Sequence, residues 1–255
     1  MKVTLLGCAT STGVPIIGCQ CPVCASDNPK NKRTRCSVYI ESKGKNILID
    51  SSTDLRFQAL RHNITRLDAV LYTHSHADHT HGIDELRTFN FVNDMVIPCY
   101  GNALTINNLK NNFGYIFDGV YSSGGKPKLE LNVVENNFDF EGISIIPVEI
   151  NHANWMILGY RIGNFAYLTD CSGIPPESLD KLKGLDLLIL SALRYREHPA
   201  HFNIDQAVEM AQRLNPKLTV FTHMGHEVEY DTLLSELPDN IVPAYDGMEV
   251  ELDQA

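Results

Sequence analysis

A chain of 255 residues with 44% hydrophobic side chains can bury a full core, and it reads as one domain over 1–255. Lysine and arginine total 21 against 31 aspartates and glutamates, a formal charge of −10, which argues against gripping long nucleic acid through a basic stripe. No apolar run approaches the ~18 residues of a membrane span, and seven cysteines, an odd number, argue against a disulfide framework.

The chain opens with MKVTLLGCATSTG. Lys2 ahead of LLGC resembles a lipoprotein leader, but only four residues separate Lys2 from Gly7, against the roughly 7–15 of a leader's apolar core. The segment therefore reads as a first strand, VTLL (3–6), and the protein as cytoplasmic. Residues 8–36 are rich in cysteine and proline and poor in periodic apolar residues, so they suggest an elaborated loop held by something other than a core. The one basic cluster, KNKRTR at 30–35, reads as a solvated part of that loop.

Two strands follow, SVYIE (37–41) and NILID (46–50), then a helical pattern, TDLRFQALRHN, with His62 near its end. The apolar run DAVLYT predicts a buried strand ending at Thr73, and GIDELRTF begins a helix. LTINNLKNNF is helical, and YSSGGKPK (121–128) reads as a turn or surface loop. Beyond it come the strands ISIIPVEI (143–150), FAYLT (165–169), DLLILS (186–191) and LTVFT (218–222). Helical patterns PESLDKL and IDQAVEMAQRLN lie between them. In the second, Ile204, Val208, Ala211 and Leu214 share a face and Asn203 is the expected N-cap. Strands alternating with helices and no evident repeat argue an α/β fold with helices covering sheet.

Between the strand at 69–73 and the helix after it lies THSHADHTHG, with four of the ten histidines set around Asp78. A strand-to-helix loop is where open α/β sheets place ligands. His74 and His76, two apart, can face one metal, while Asp78 and His79 on the following turn can reach a second. Two ions need about seven protein donors, so others must come from far along the chain. His152, Asp170 and His223 each stand at the end of a predicted strand and fit that need.

H-x-H-x-D-H followed by distant His, Asp and His resembles the metallo-β-lactamase superfamily, across essentially the whole chain. The resemblance implies a four-layer αββα sandwich in which two central mixed sheets are flanked by helices. Carried over by position, it puts His74, His76 and His152 on one metal and Asp78, His79 and His223 on the other, with Asp170 bridging both. Paired metals of this kind lower the pKa of a shared water, supply hydroxide at neutral pH and neutralise charge on the group attacked.

GCQCPVCAS narrows the resemblance. Cys19, Cys21 and Cys24 lie within six residues, a density suited to a structural zinc and poor for disulfides. His226, three residues beyond His223, is the best candidate for a fourth ligand. The cysteine-rich loop (about 18–36) after GVP, the CS pair near residue 36 and the THMGH segment are similar to the PhnP-type cyclic-phosphate phosphodiesterases. Cys8, Cys36, Cys99 and Cys171 lack such a grouping and read as small packing residues.

Breaking a phosphodiester also needs a group that protonates the departing alkoxide. REHPAHFNID holds His198 and His201, and the branch places an active-site His just before this helix, which favours His201. Asp78 counts beside it among the catalytic residues. His81 reads as a supporting or exposed residue.

The resemblance thus implies a dinuclear metal-dependent phosphodiesterase opening ribose 1,2-cyclic phosphates or 2′,3′-cyclic nucleotides. It carries two catalytic divalent ions (zinc or manganese, with iron or nickel as further candidates) and one structural zinc. Its partner is a small anionic phosphodiester, without long nucleic acid or membrane, and a homodimer is what the family suggests. Other readings on the same fold are a tRNA 3′-processing endonuclease, a lactone or thioester hydrolase, or a non-catalytic binding relative of the quinone-cofactor synthesis type. Arg194 and Arg196 are candidates for holding a second phosphate.

Overall fold

Two seven-stranded sheets face each other. The first runs in the order β14 (Met248–Glu251), β1 (Lys2–Gly7), β2 (Ser37–Ser42), β3 (Lys45–Ile49), β4 (Ala69–Leu71), β5 (Ile97–Gly101), β6 (Leu129–Val133). The second runs β7 (Phe138–Phe140), β8 (Ile143–His152), β9 (Trp155–Ile162), β10 (Phe165–Leu168), β11 (Leu187–Ser191), β12 (Leu218–Thr222), β13 (Ile241–Pro243). The computed structural model describes residues 1–120 and 125–253; positions 121–124, half of the turn expected at 121–128, lie outside the described residues.

Read in those orders, the sheets have one design: three antiparallel pairings followed by three parallel ones. β3 thus corresponds to β10, and β4 to β11. The sequence shows no such repeat, because what recurs is the order of strand pairing and not the side chains.

The alternation of side chains along the strands sets the layers. Val38, Ile40, Ile47, Ile49, Ala69 and Leu71 point between the sheets and join the core made with Ile145, Val148, Ile150, Tyr160 and Leu190. Their neighbours Tyr39, Leu48 and Val70 point outward, under Leu55 of helix α2, Leu86 and Phe89 of α4, and Ile106 of α5. Helices in chain order are α1 (Pro22–Ala25), α2 (Leu55–Arg61), α3 (Ala77–Thr80), α4 (Leu86–Asn93), α5 (Ala103–Asn112), α6 (Gly114–Phe117), α7 (Pro176–Leu179), α8 (Ile204–Leu214) and α9 (Tyr230–Glu236). Strands buried on both faces need continuous apolar runs, which is why AVL and LLIL carry no polar residue. The outer face of the second sheet is covered by α8. Asn203 caps it as expected, its side chain accepting from the Gln206 amide while Gln206 reaches back to the Asn203 amide. Ile204, Ala207 and Ala211 form the buried stripe and Val208 and Leu214 its margins, so the face turns about Ala207. The result is the αββα sandwich.

One expectation changes at the end of an element. The strand predicted to reach Thr73 stops at Leu71. Thr73 instead turns its amide and hydroxyl onto Asp50, each at 2.8 Å. His152, expected at a strand end, is the last residue of β8. The basic cluster 30–35 is not solvated. Arg33 is 2% exposed and donates to the carbonyls of Gly225 (3.3 Å) and Val228 (2.7 Å). Arg35 pairs with Asp54, and Lys30 lies 4.2 Å over the Tyr230 ring. The cluster fastens the cysteine-rich loop to the segment that follows β12. Among the described residues no helix is long and apolar enough to cross a membrane.

Candidate metal centre and active site

The parallel half of each sheet delivers its C-terminal strand ends to one region. Asp50 follows β3, the His74–His79 segment follows β4, Asp170 follows β10, His201 lies beyond β11, and His223 follows β12. Three of these residues, Asp50 (φ 62°), Asp170 (φ 54°) and His223 (φ 58°), adopt the left-handed backbone conformation. Such a conformation is uncommon outside glycine and costs of order 1 kcal/mol or more. Here it turns each chain sharply off its strand and aims a polar side chain inward.

Two donor sets result. In one, ligand-type atoms of His74, His76, His152 and Asp170 lie within 4.8 Å of one another; in the other, those of Asp78, His79, Asp170 and His223 do. Asp170 belongs to both. Its Oδ2 is 3.8 Å from His74 Nε2, and its Oδ1 is 3.3 Å from His79 Nε2 and 3.1 Å from His223 Nε2. His74 Nε2 and His76 Nδ1 are 3.0 Å apart. Donors sharing one ion at ~2.0–2.2 Å stand roughly 3–4 Å from each other, so these separations suit a cation. His79 Nε2 and His223 Nε2 are buried with no hydrogen-bond partner among the described residues, as atoms reserved for a metal are.

The charges agree. Burial opposes ionisation of Asp170, yet His223 and His79 hold its carboxyl well below the usual range. Asp78, also pushed upward by burial, is held below by His79 and His223. Burial pushes His74 far down, leaving the neutral imidazole a metal needs. His79 is raised despite burial by Asp78, Asp170 and Asp50. Three carboxylates around one ring mark a place that wants positive charge.

Asp50 is the residue sequence reasoning missed. It is fully buried, and His79 Nδ1 lies 2.7 Å from its Oδ2. That contact fixes the His79 proton on Nδ1 and turns Nε2 toward Asp78 and Asp170. His152 is oriented likewise, its Nδ1 donating to the Ala200 carbonyl at 2.9 Å. A signal was present: NILID and FAYLTD both end apolar strands in aspartate, and these strands are counterparts in the two sheets.

His201 is brought to the same place. Its ring centroid is 4.8 Å from that of His152 and 4.9 Å from that of His223, and its Nδ1 is 4.0 Å from Asp170 Oδ2. Burial above all holds it down to about 3. His198 Nδ1 already accepts the Ala200 amide at 3.1 Å. Arg194 donates to the carbonyls of Arg196 and Glu197, and Arg196 pairs with Glu227, so both guanidinium groups already have partners within the chain. His81 is exposed and packs edge-on against Phe113; His62 caps α2.

The thiol cluster stands apart. Cys19, Cys21 and Cys24 Sγ are 3.4, 3.5 and 3.6 Å from His226 Nδ1. Bonds of ~2.3 Å to sulfur and ~2.0–2.1 Å to nitrogen at the tetrahedral angle place S and N about 3.6 Å apart, so the four groups fit a zinc ion. The Cys24 amide holds the Cys21 thiol down at about 6, toward the thiolate a metal takes. Cys8, Cys36, Cys99 and Cys171 are buried, as expected of packing residues.

The geometry can be set beside known proteins. A family model described as the beta-lactamase superfamily domain matches residues 45–224. A protein named octanoyltransferase, from Porphyromonas gingivalis (strain ATCC BAA-308 / W83), is 39% identical over 260 residues, an alignment taking in 100% of this chain and 52% of that protein. The chain thus spans about half the length of that curated relative. Among solved structures, a new diphosphatase from the PhnP family is 40% identical with a TM-score of 0.93, over 99% of this chain and 98% of its own. Zn(2+)-bound PqqB from Methylobacterium extorquens aligns over 99% of this chain and 100% of its own with a TM-score of 0.79, but at 18% identity it speaks for the fold alone. The chain belongs to the metallo-β-lactamase superfamily, in its PhnP-type branch.

Proposed function

We propose that residues 1–255 work as one hydrolase domain, a phosphodiesterase that opens small cyclic phosphates of the ribose 1,2-cyclic or 2′,3′-cyclic nucleotide type. The observation that carries the reading is Asp170, whose two oxygens face two separate sets of histidines. His74, His76 and His152 would hold one divalent ion, Asp78, His79 and His223 the other, and Asp170 both. Cations held there supply Lewis acidity: they acidify water and neutralise charge building on a phosphoryl group. The chain's own part is positional. Asp50 and the Ala200 carbonyl keep His79 and His152 in the required tautomers. His201, on the flank of both sets, delivers a proton to the ring oxygen that leaves.

The PhnP-family protein of known structure is a diphosphatase, which supports hydrolysis at phosphorus and brings a diphosphate diester in as a second substrate class. Acyl transfer, named for the octanoyltransferase relative, is less favoured. A covalent acyl carrier needs a thiolate or activated hydroxyl at the site, and burial pushes both Cys36 and Cys171 up to about 12. The test is a substrate panel run with metal analysis: bis-p-nitrophenyl phosphate, 2′,3′-cyclic AMP, a diphosphate diester, a lactone and an octanoyl thioester. The cyclic phosphate is expected to have the highest kcat/KM. Turnover of thioester or lactone without any phosphodiester would overturn the reading.

Two further expectations follow from the supporting residues. Asp50→Asn should fold but bind one ion ~10–100-fold more weakly, the usual cost of losing a partner behind a metal ligand; unchanged affinity in a metal titration would contradict the assigned role. Cys21→Ser should lower the midpoint of thermal unfolding more than it slows turnover, since thiolate-rich zinc sites contribute to folding. A mild chelator should strip the catalytic ions first and leave one zinc by elemental analysis. Loss of all metal at one chelator concentration, with no stability change in Cys21→Ser, would count against a separate structural site.

A further inference from the structure

The chain has one tryptophan, and it stands on the rim of the donor sets. Trp155 begins β9 and pairs in register with His152, across a two-residue turn. Its ring lies 5.1 Å from that of His76, inclined by 36°. Trp155 is nevertheless 44% exposed. One face therefore rests near the donor histidines while part of the ring looks outward. Met156, also exposed, points to the opposite side of the strand, as alternation requires.

The hairpin that presents this ring is fastened to both donor loops. The Ala153 amide donates to Ser172 Oγ at 3.0 Å, and the Ser172 amide to the Asn151 carbonyl at 2.8 Å, which ties the tip to the segment after Asp170. The Leu158 amide donates to the Thr73 carbonyl at 3.1 Å, tying β9 to the segment before His74. Asn102 reaches the Met156 carbonyl from a third side. A large apolar ring left half in water contributes less to folding than a buried one. On a pinned support beside a site for anionic esters, it offers an ordered surface to a flat ligand instead. Every nucleobase has a π-face, and stacking on an indole asks for no particular base.

We propose that Trp155 is the stacking platform for the base of a nucleotide substrate. The inference rests on the phosphodiesterase reading and specifies its substrate class: a phosphate carrying a planar heterocycle, not a bare sugar or polyol phosphate. Trp155 is then a specificity-determining residue that acts on binding without touching the reacting atoms.

The single tryptophan makes binding directly visible. In metal-loaded protein, adenosine 5′-monophosphate is expected to quench intrinsic fluorescence saturably, whereas ribose 5-phosphate at the same concentrations leaves it unchanged. In kinetics, Trp155→Ala should lower the ratio of kcat/KM for 2′,3′-cyclic AMP over that for glycerol 1,2-cyclic phosphate by roughly 5- to 150-fold, the worth of one base–aromatic stack. The loss should lie in KM, and Trp155→Phe should recover most of it. Equal quenching by both ligands, or none, overturns the proposal, as does an unchanged ratio in Trp155→Ala. The two readings fail separately. If no cyclic phosphate is hydrolysed, the fluorescence titration still decides whether Trp155 meets a base. If both cyclic phosphates are hydrolysed and the ratio does not move, Trp155 alone is refuted.

Discussion

Asp170→Ala is expected to lose both catalytic ions and nearly all turnover while keeping the zinc on the thiol cluster. Asp170 is 2% exposed and is the only donor common to both sets among the described residues. With an ion held in each set, removing it would take one ligand from both and leave their positive charges facing each other without a shared anion. The loss should exceed the ~10–100-fold that a residue behind a ligand costs, and ~10³-fold or more in kcat follows if the cations supply most of the electrostatic stabilisation. Asp170→Asn separates charge from shape: it fills the same volume, so a defect shared by the two variants belongs to the lost carboxylate and not to a cavity. Elemental analysis with activity on bis-p-nitrophenyl phosphate reads both effects. Full activity with two ions retained in Asp170→Ala would remove the bridging role.

The histidines and aspartates that cluster were legible in the sequence because their chemistry is uncommon where they stand. An apolar strand that stops at THSHADH or at FTH has no packing reason to end in histidine, and three such ends converge. Asp50 escaped because an aspartate after a strand is the ordinary start of a turn. The pairing order of the sheets makes β3 the counterpart of β10, so Asp50 follows its strand as Asp170 follows its own. Arg33 was misread for a related reason. A basic residue in a polar run looks solvated until its acceptors are known, and these are carbonyls 192 and 195 residues away. β5 carries Pro98, β9 carries Gly159, and β13 and β14 are only three and four residues long. Edge and interrupted strands need little periodic signal, since register is imposed by the neighbour already in place. Trp155 gave no sequence signal of its own; only the register opposite His152 places it at the site.

His201→Ala should injure the natural reaction more than a model one, because the two differ in what leaves. p-Nitrophenolate is a stable anion and departs with little help, whereas a sugar alkoxide must be protonated as the P–O bond breaks. The fold supplies two histidines for that task within one short loop, and their surroundings separate them. The His198 ring accepts the Ala200 amide, holding the turn together. The His201 ring lies against His152 and His223, with its Nδ1 buried and without a hydrogen-bond partner among the described residues. kcat on 2′,3′-cyclic AMP is expected to fall ~10²–10⁴-fold in His201→Ala, the range of positioned acid–base help. The loss on bis-p-nitrophenyl phosphate should be clearly smaller, with metal content unchanged. Equal losses on both substrates would make His201 a binding or metal-supporting residue. Equal retention on both would transfer the role to His198, whose own variant should then show the substrate-dependent defect.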